Sequence, residues 1–106
     1  MPWFVNLSHF KTIRTKMTDN ADSQKALQII PGVGKSISRD LVDLDYKCVE
    51  ELRGEDPQLM YEKLCRLRGE KIDRCVLYVF RCAVYFASTN LHDPELLKWW
   101  HWKNRA

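Results

Sequence analysis

Apolar positions recur at helical spacing through most of the chain. Ala26, Leu27 and Ile30 share one face of a first helix that Asp22 or Ser23 caps and Pro31 ends. Val33, Ile37, Leu41 and Leu44 form the stripe of a second, with Lys35, Ser36, Arg39 and Asp40 on the opposite side. Tyr46, Val49 and Leu52 predict a short third helix closed at Gly54. Asp56-Pro57 restarts the chain as cap and first helical residue, Met60, Leu64 and Leu67 supply the buried stripe of a fourth helix, and Gly69 stops it. From Asp73 to about Ser88 the residues are apolar on nearly every side, which marks a central, buried helix, because the run exceeds ordinary strand length. Asp93-Pro94-Glu95 repeats the cap signature before Leu96, Leu97, Trp99, Trp100 and Trp102. The pattern predicts an all-α, compact bundle of five to six short helices.

Composition agrees with one such domain. The chain has 106 residues, 45% hydrophobic and 29% charged, values typical of a globular fold. Gly and Pro number four each, too few to punctuate an all-β chain. No run of eighteen apolar residues exists, which argues against a membrane-spanning helix. In the first seventeen residues the basic side chains follow the apolar ones, the reverse of a signal peptide. Residues 1–20 are read as a poorly ordered extension, a short amphipathic helix being the other reading, and 21–106 as the folded domain. Cys48, Cys65, Cys75 and Cys82 lack the close pairing of a zinc site and any regular framework, so no metal or disulfide is expected and the thiols read as small apolar residues of a reducing cytoplasm. The net charge of +3 gives only weak general attraction to polyanions, so placement of the charges decides the matter.

The chemistry concentrates between Leu27 and Leu41. Ile30-Pro31-Gly32-Val33-Gly34-Lys35-Ser36 is a hydrophobic helix end, a tight turn with two glycines, and a basic helix start. This segment resembles the helix-hairpin-helix motif. There Val33 packs between the two helices, and the amides of Gly32, Gly34 and Lys35 point outward at a helix N-terminus whose dipole favours an anion. Lys35 and Arg39 add charge and Ser36 a hydroxyl donor, so Gly32, Val33, Gly34, Lys35, Ser36 and Arg39 form the candidate nucleic-acid-binding set. Such a turn meets phosphates and not base edges, which predicts weak, sequence-independent contact with duplex DNA. Alternatively Pro-Gly-Val-Gly simply joins two packed helices.

Other chemistry has little support. Gly34-Lys35-Ser36 has the ending of a P-loop without the earlier glycine or a preceding strand. Asp43, Asp45, Glu50, Glu51, Glu55 and Asp56 read as solvated helix edges, and no His, Asp and Ser fall close in sequence. Neither an enzyme, a cofactor nor a small-molecule substrate is expected. Three tryptophans in four positions cannot share one helix face, so they read as an aromatic lid with one ring left outside, or as a stacking platform. Arg81, within the apolar run, must be paired if buried, with Glu62, Asp73, Asp43 or helix-end carbonyls as candidates.

From Leu27 to Arg105 the chain is similar to the pathogenicity-locus family of small bacterial helix-hairpin-helix proteins, some labelled mitomycin-resistance proteins. The resemblance rests on Ile30 to Lys35, Val49 to Gly54, Leu59 and Tyr61, Asp73 to Arg81 with Ala83 to Ala87, and Leu97 to Trp100. It implies a bacterial cytoplasmic protein with a DNA-linked role and supplies no catalytic residues. The first half is also similar to the C-terminal domain of transformation-type competence regulators, which implies the alternative of a protein-interaction adaptor using the hairpin; the excess of C-terminal aromatics offers Trp99, Trp100 and Trp102 as its other docking surface. Leu64 to Ile72 outlines a degenerate second hairpin, with Lys71 where a glycine is wanted, or else an ordinary interhelical turn.

Overall fold

The computed structural model describes residues 19–103 and is all-helical. Among the described residues the α-helices are α1 (Asp19–Leu27), α2 (Lys35–Asp43), α3 (Pro57–Arg68) and α4 (Arg74–Ser88). Three 3-10 turns complete it: η1 (Val49–Leu52), η2 (Pro94–Leu97) and η3 (Trp99–Trp102). The expected extension over residues 1–20 falls outside this range except for its last two residues, which begin α1.

Two of the expected helices are therefore 3-10 turns, for a reason of length. Between the end of α2 and Gly54 there is room for a single turn, and two carboxylates at its start, Glu50 and Glu51, accompany it. The C-terminal turns are each four residues long, and Asp93 caps the first by accepting from the Glu95 amide. In a 3-10 turn residues three apart eclipse. Trp99 and Trp102 accordingly share the inner side, while Trp100 stands 55% exposed.

α1 starts earlier and ends earlier than its pattern predicts. Ser23 is buried against the core instead of capping. Beyond Leu27 the chain tightens into successive short turns, Ile30 N–H to Leu27 O and Val33 N–H to Ile30 O, because Pro31 bars its predecessor from continuing the helix. α2 ends where Asp45 takes a φ of 76°, with the Tyr46 amide reaching back to Leu41 O at 3.0 Å. α3 keeps its expected Asp56 cap and its left-handed Gly69 stop. Its buried residues are Met60, Tyr61 and Leu64, and Leu67 is 55% exposed, because the helix rotates to seat Tyr61, whose hydroxyl donates to Ile72 O.

α4 is the hub. It packs against α3 and all three 3-10 turns, while α1 packs on α2. One cluster unites the layers: Leu27, Ile30, Val33, Leu41 and Leu44 from the first pair meet Leu64, Leu77 and Phe80 from the second. Burying such side chains supplies the driving force, at about 25 cal/mol per Å² of apolar surface. α4 is not buried on all sides, since Tyr78, Arg81 and Tyr85 are only half-buried. Among the described residues no helix is long and apolar enough to cross a membrane.

Candidate nucleic-acid interface

The turn between α1 and α2 brings Gly32, Val33, Gly34, Lys35, Ser36 and Arg39 to one corner of the molecule. Val33 is the buried member, a peg in the core, while the other five are exposed. Gly32 has a φ of +88°, a conformation side chains oppose, and a Cβ there would come within 2.9 Å of Trp99 Cδ1. Glycine is thus required twice over. Gly34 is extended, with nothing within 4 Å of the place a Cβ would take.

Gly34 caps α2 without a side chain. The first intrahelical bond is Ser38 N–H to Gly34 O at 2.9 Å, so the earlier amides of the helix have no carbonyl within it. The contrast with the other two α-helices whose starts are described is direct. Asp56 accepts from the Gln58 and Leu59 amides at 2.9 and 3.3 Å, and Asp73 from the Cys75 amide at 2.9 Å. Those two helices carry their own anion; α2 does not. Because a carboxylate already occupies the start of α4, the Gly69 to Asp73 turn differs from the first one where phosphate contact would occur, and Lys71 and Arg74 flank a filled position.

The charge around the uncapped start of α2 is arranged in the same sense. Lys35 and Arg39 are exposed and, among the described residues, enter no ion pair. The carboxylates of the same helix are taken up elsewhere. Arg68 from the end of α3 donates to Asp40 at 2.6 Å and to Asp43 at 2.8 Å, and these bonds hold its guanidinium even more firmly protonated than usual. Below the turn, the fully buried Ser38 hydroxyl donates to Lys35 O and accepts from Gln28 Nε2 at 3.2 Å, which fixes the end of α1 to the first turn of α2. Neither Ser38 nor Arg68 stands out in the sequence, since each becomes meaningful only through a partner from another element.

The C-terminal turns back this corner. Trp99 lies against Gly32. Trp102 donates its indole N–H to Leu96 O at 2.8 Å and lies 5.5 Å from the Tyr85 ring. Arg81 finds its partner here: it donates to Trp102 O at 2.7 Å, with its guanidinium 5.7 Å from the centre of the Tyr78 ring. Among the candidates named from sequence, a helix-end carbonyl is the one used, while Asp43 holds Arg68 and Asp73 caps α4. Cys82, fully buried, is the one thiol enclosed by this packing, directed at Leu96 O and Leu97 O, and burial pushes it up to about 11. Among the described residues no group of three or more His, Cys, Asp or Glu is placed to hold a metal ion.

Comparison with known proteins places this arrangement in a family. The chain is 29% identical over 76 residues to the mitomycin resistance protein McrB of Streptomyces lavendulae, an alignment covering 72% of this chain and 69% of that protein. No solved structure matches. The family model described as pathogenicity locus, Cdd1, matches residues 20–106, all of the described fold but its first residue, and the chain belongs to that family.

Proposed function

We propose that this protein binds DNA through the phosphate backbone, without reading base sequence, the α1–turn–α2 unit serving as a helix-hairpin-helix. The observation that carries this reading is the uncapped start of α2, flanked by Lys35 and Arg39. A phosphate oxygen placed there accepts from amides that have no carbonyl of their own, and the helix dipole adds to the attraction. The glycines permit close approach, Lys35 and Arg39 supply screening charge, and Ser36 offers a hydroxyl. Nothing in the turn projects far enough to sort bases, so affinity is modest and independent of sequence. The same proposal sets the protein to work on DNA in a bacterial cytoplasm and assigns it no reaction of its own.

Titration of labelled duplexes by fluorescence anisotropy at several salt concentrations tests it. Engaging about two phosphates gives a log–log salt slope near −1.8, hence about a tenfold loss between 50 and 200 mM salt. Lys35→Ala is expected to reduce the slope by about 1 for duplexes of any sequence. Absence of binding even at low salt refutes the reading.

A second reading, an adaptor that docks another protein, has its own support in the exposed Trp100, since exposed tryptophans are enriched at interface hot spots. Loss of a specific captured protein on Trp100→Ala, with melting unchanged and no DNA binding by the native chain, favours it.

A further inference from the structure

Beside the hairpin lies a cavity that its chemistry does not use. Trp99, Trp100, Tyr78, Cys75 and Lys103 line a space of about 210 Å³. Trp99 and Trp100 meet at an interplanar angle of 88° with centroids 5.7 Å apart, so two indoles form perpendicular walls, with Tyr78 as a third aromatic lining. The space is below the roughly 300–1,000 Å³ of a site for a drug-sized ligand. It suits one planar ring system. Exposed Lys103 lines it and the Asp73 carboxylate bonds the lining Cys75, so the nearby charge is mixed and the aromatic walls define the occupant.

Its position supplies the rest of the argument. Trp99 is shared: its ring lines the cavity and also abuts Gly32 of the turn. The aromatic cavity therefore shares its Trp99 wall with the turn, which sets a place for a base next to a place for a phosphate. Aromatic walls beside a positively charged backbone site are the combination by which single-stranded nucleic acid is held, because every base offers a π-face and every link a phosphate.

We propose that the Trp99–Trp100–Tyr78 cavity takes one unpaired base of a DNA strand whose backbone lies on the α1–α2 turn, which makes single-stranded or frayed DNA the preferred ligand. The proposal rests on the backbone-binding reading above and adds the stacking of a base to it. A base held in a duplex cannot enter without leaving its stack, so paired DNA engages the turn alone. The exposed edge of Trp100 is the wall that a base covers, and stacking there changes indole emission.

The test titrates the full chain, followed by tryptophan emission and by anisotropy, with an oligothymidine strand, a strand of equal length and charge carrying abasic sites, and a blunt duplex. The oligothymidine is expected to bind about fivefold or more tighter than the duplex, with quenching, and the abasic strand to lose that advantage. Trp100→Ala is expected to abolish the preference while leaving duplex affinity unchanged, and Lys35→Glu with Arg39→Glu to weaken all ligands. Trp100→Leu, which keeps an apolar wall without a ring, serves if the alanine variant melts early, and the abasic strand needs no variant at all. Equal binding of all three ligands overturns the base cavity and leaves the backbone reading standing. Failure to bind any of them overturns both. Emission that follows protein concentration instead of added DNA assigns the cavity to a second copy of the chain and overturns the proposal.

Discussion

Gly34→Asp should raise stability and lower DNA affinity at once, a pairing of signs that few other models of this corner allow. The backbone at Gly34 is extended, as a cap residue requires, and no atom lies within 4 Å of the new Cβ. An aspartate there can do for α2 what Asp56 and Asp73 do for α3 and α4, accepting from amides of the first turn. Replacing a glycine cap by aspartate is worth a few tenths of a kcal/mol, and a carboxylate on the helix dipole about 0.3–1 more. The sum, about 0.5–1.3 kcal/mol, corresponds to a rise in melting temperature of roughly 2–10 °C for a domain this size. The same carboxylate occupies the place of a phosphate oxygen and repels it. With one phosphate of about two no longer engaged, the salt slope falls to about −0.9 and the loss between 50 and 200 mM to about three- to fourfold. Gly34→Asn separates the two effects, since it caps without charge and is expected to stabilise slightly while costing less affinity. Differential scanning fluorimetry and anisotropy titrations at matched salt read both quantities. A raised melting temperature with undiminished binding refutes phosphate contact at the start of α2; an unraised one refutes the claim that those amides lack an acceptor.

Three further outcomes follow from neighbouring features. Gly32→Ala is expected to cost about 2–4 kcal/mol in denaturant unfolding, from the opposed positive φ together with displacement of Trp99; a loss below about 1 kcal/mol contradicts the close contact. Arg81→Met removes the bond to Trp102 O, and a loss of about 1–3 kcal/mol with DNA affinity retained in the folded protein is expected; unchanged melting with weaker binding makes Arg81 a ligand contact instead. Cys82 is raised above its ordinary value to about 11, so the unfolded chain loses that proton first as pH rises. The associated stability is complete below pH 9, declines between about 9 and 11, and is gone above; Cys82→Ala should flatten that part of the stability profile, and an unchanged slope excludes this thiol as its source.

The turn was readable because its signals are local. Pro31, two glycines and a basic start lie in consecutive positions, and each restricts the backbone or supplies charge by itself. The Asp56 cap and the Gly69 stop of α3 were readable for the same reason. What escaped depended on residues meeting from afar. Leu67 and Tyr61 exchange places in the pattern because the rotation of α3 is set by Ile72 O, which no spacing rule contains. The end of α2 gives no sign because the left-handed position is held by Asp45 where glycine is the usual occupant. The tryptophans were divisible between inside and outside only in number; which one stays out follows from 3-10 geometry, and their order along the chain is indifferent to it. The second glycine-bearing turn reads as a weaker copy of the first until Asp73 is seen to bond the Cys75 amide.

The contact between Trp99 and Gly32 also has a bearing on biosynthesis. The two residues come from near opposite ends of the described chain, so during translation α1 and α2 leave the ribosome long before the indole that backs their turn. A nascent chain halted before η3 holds the glycines, Lys35 and Arg39 but not the wall that sets the turn's shape. Completion of the last turn is then the step that gives the α1–α2 turn its final wall, and a chain that stops short of that aromatic segment lacks it.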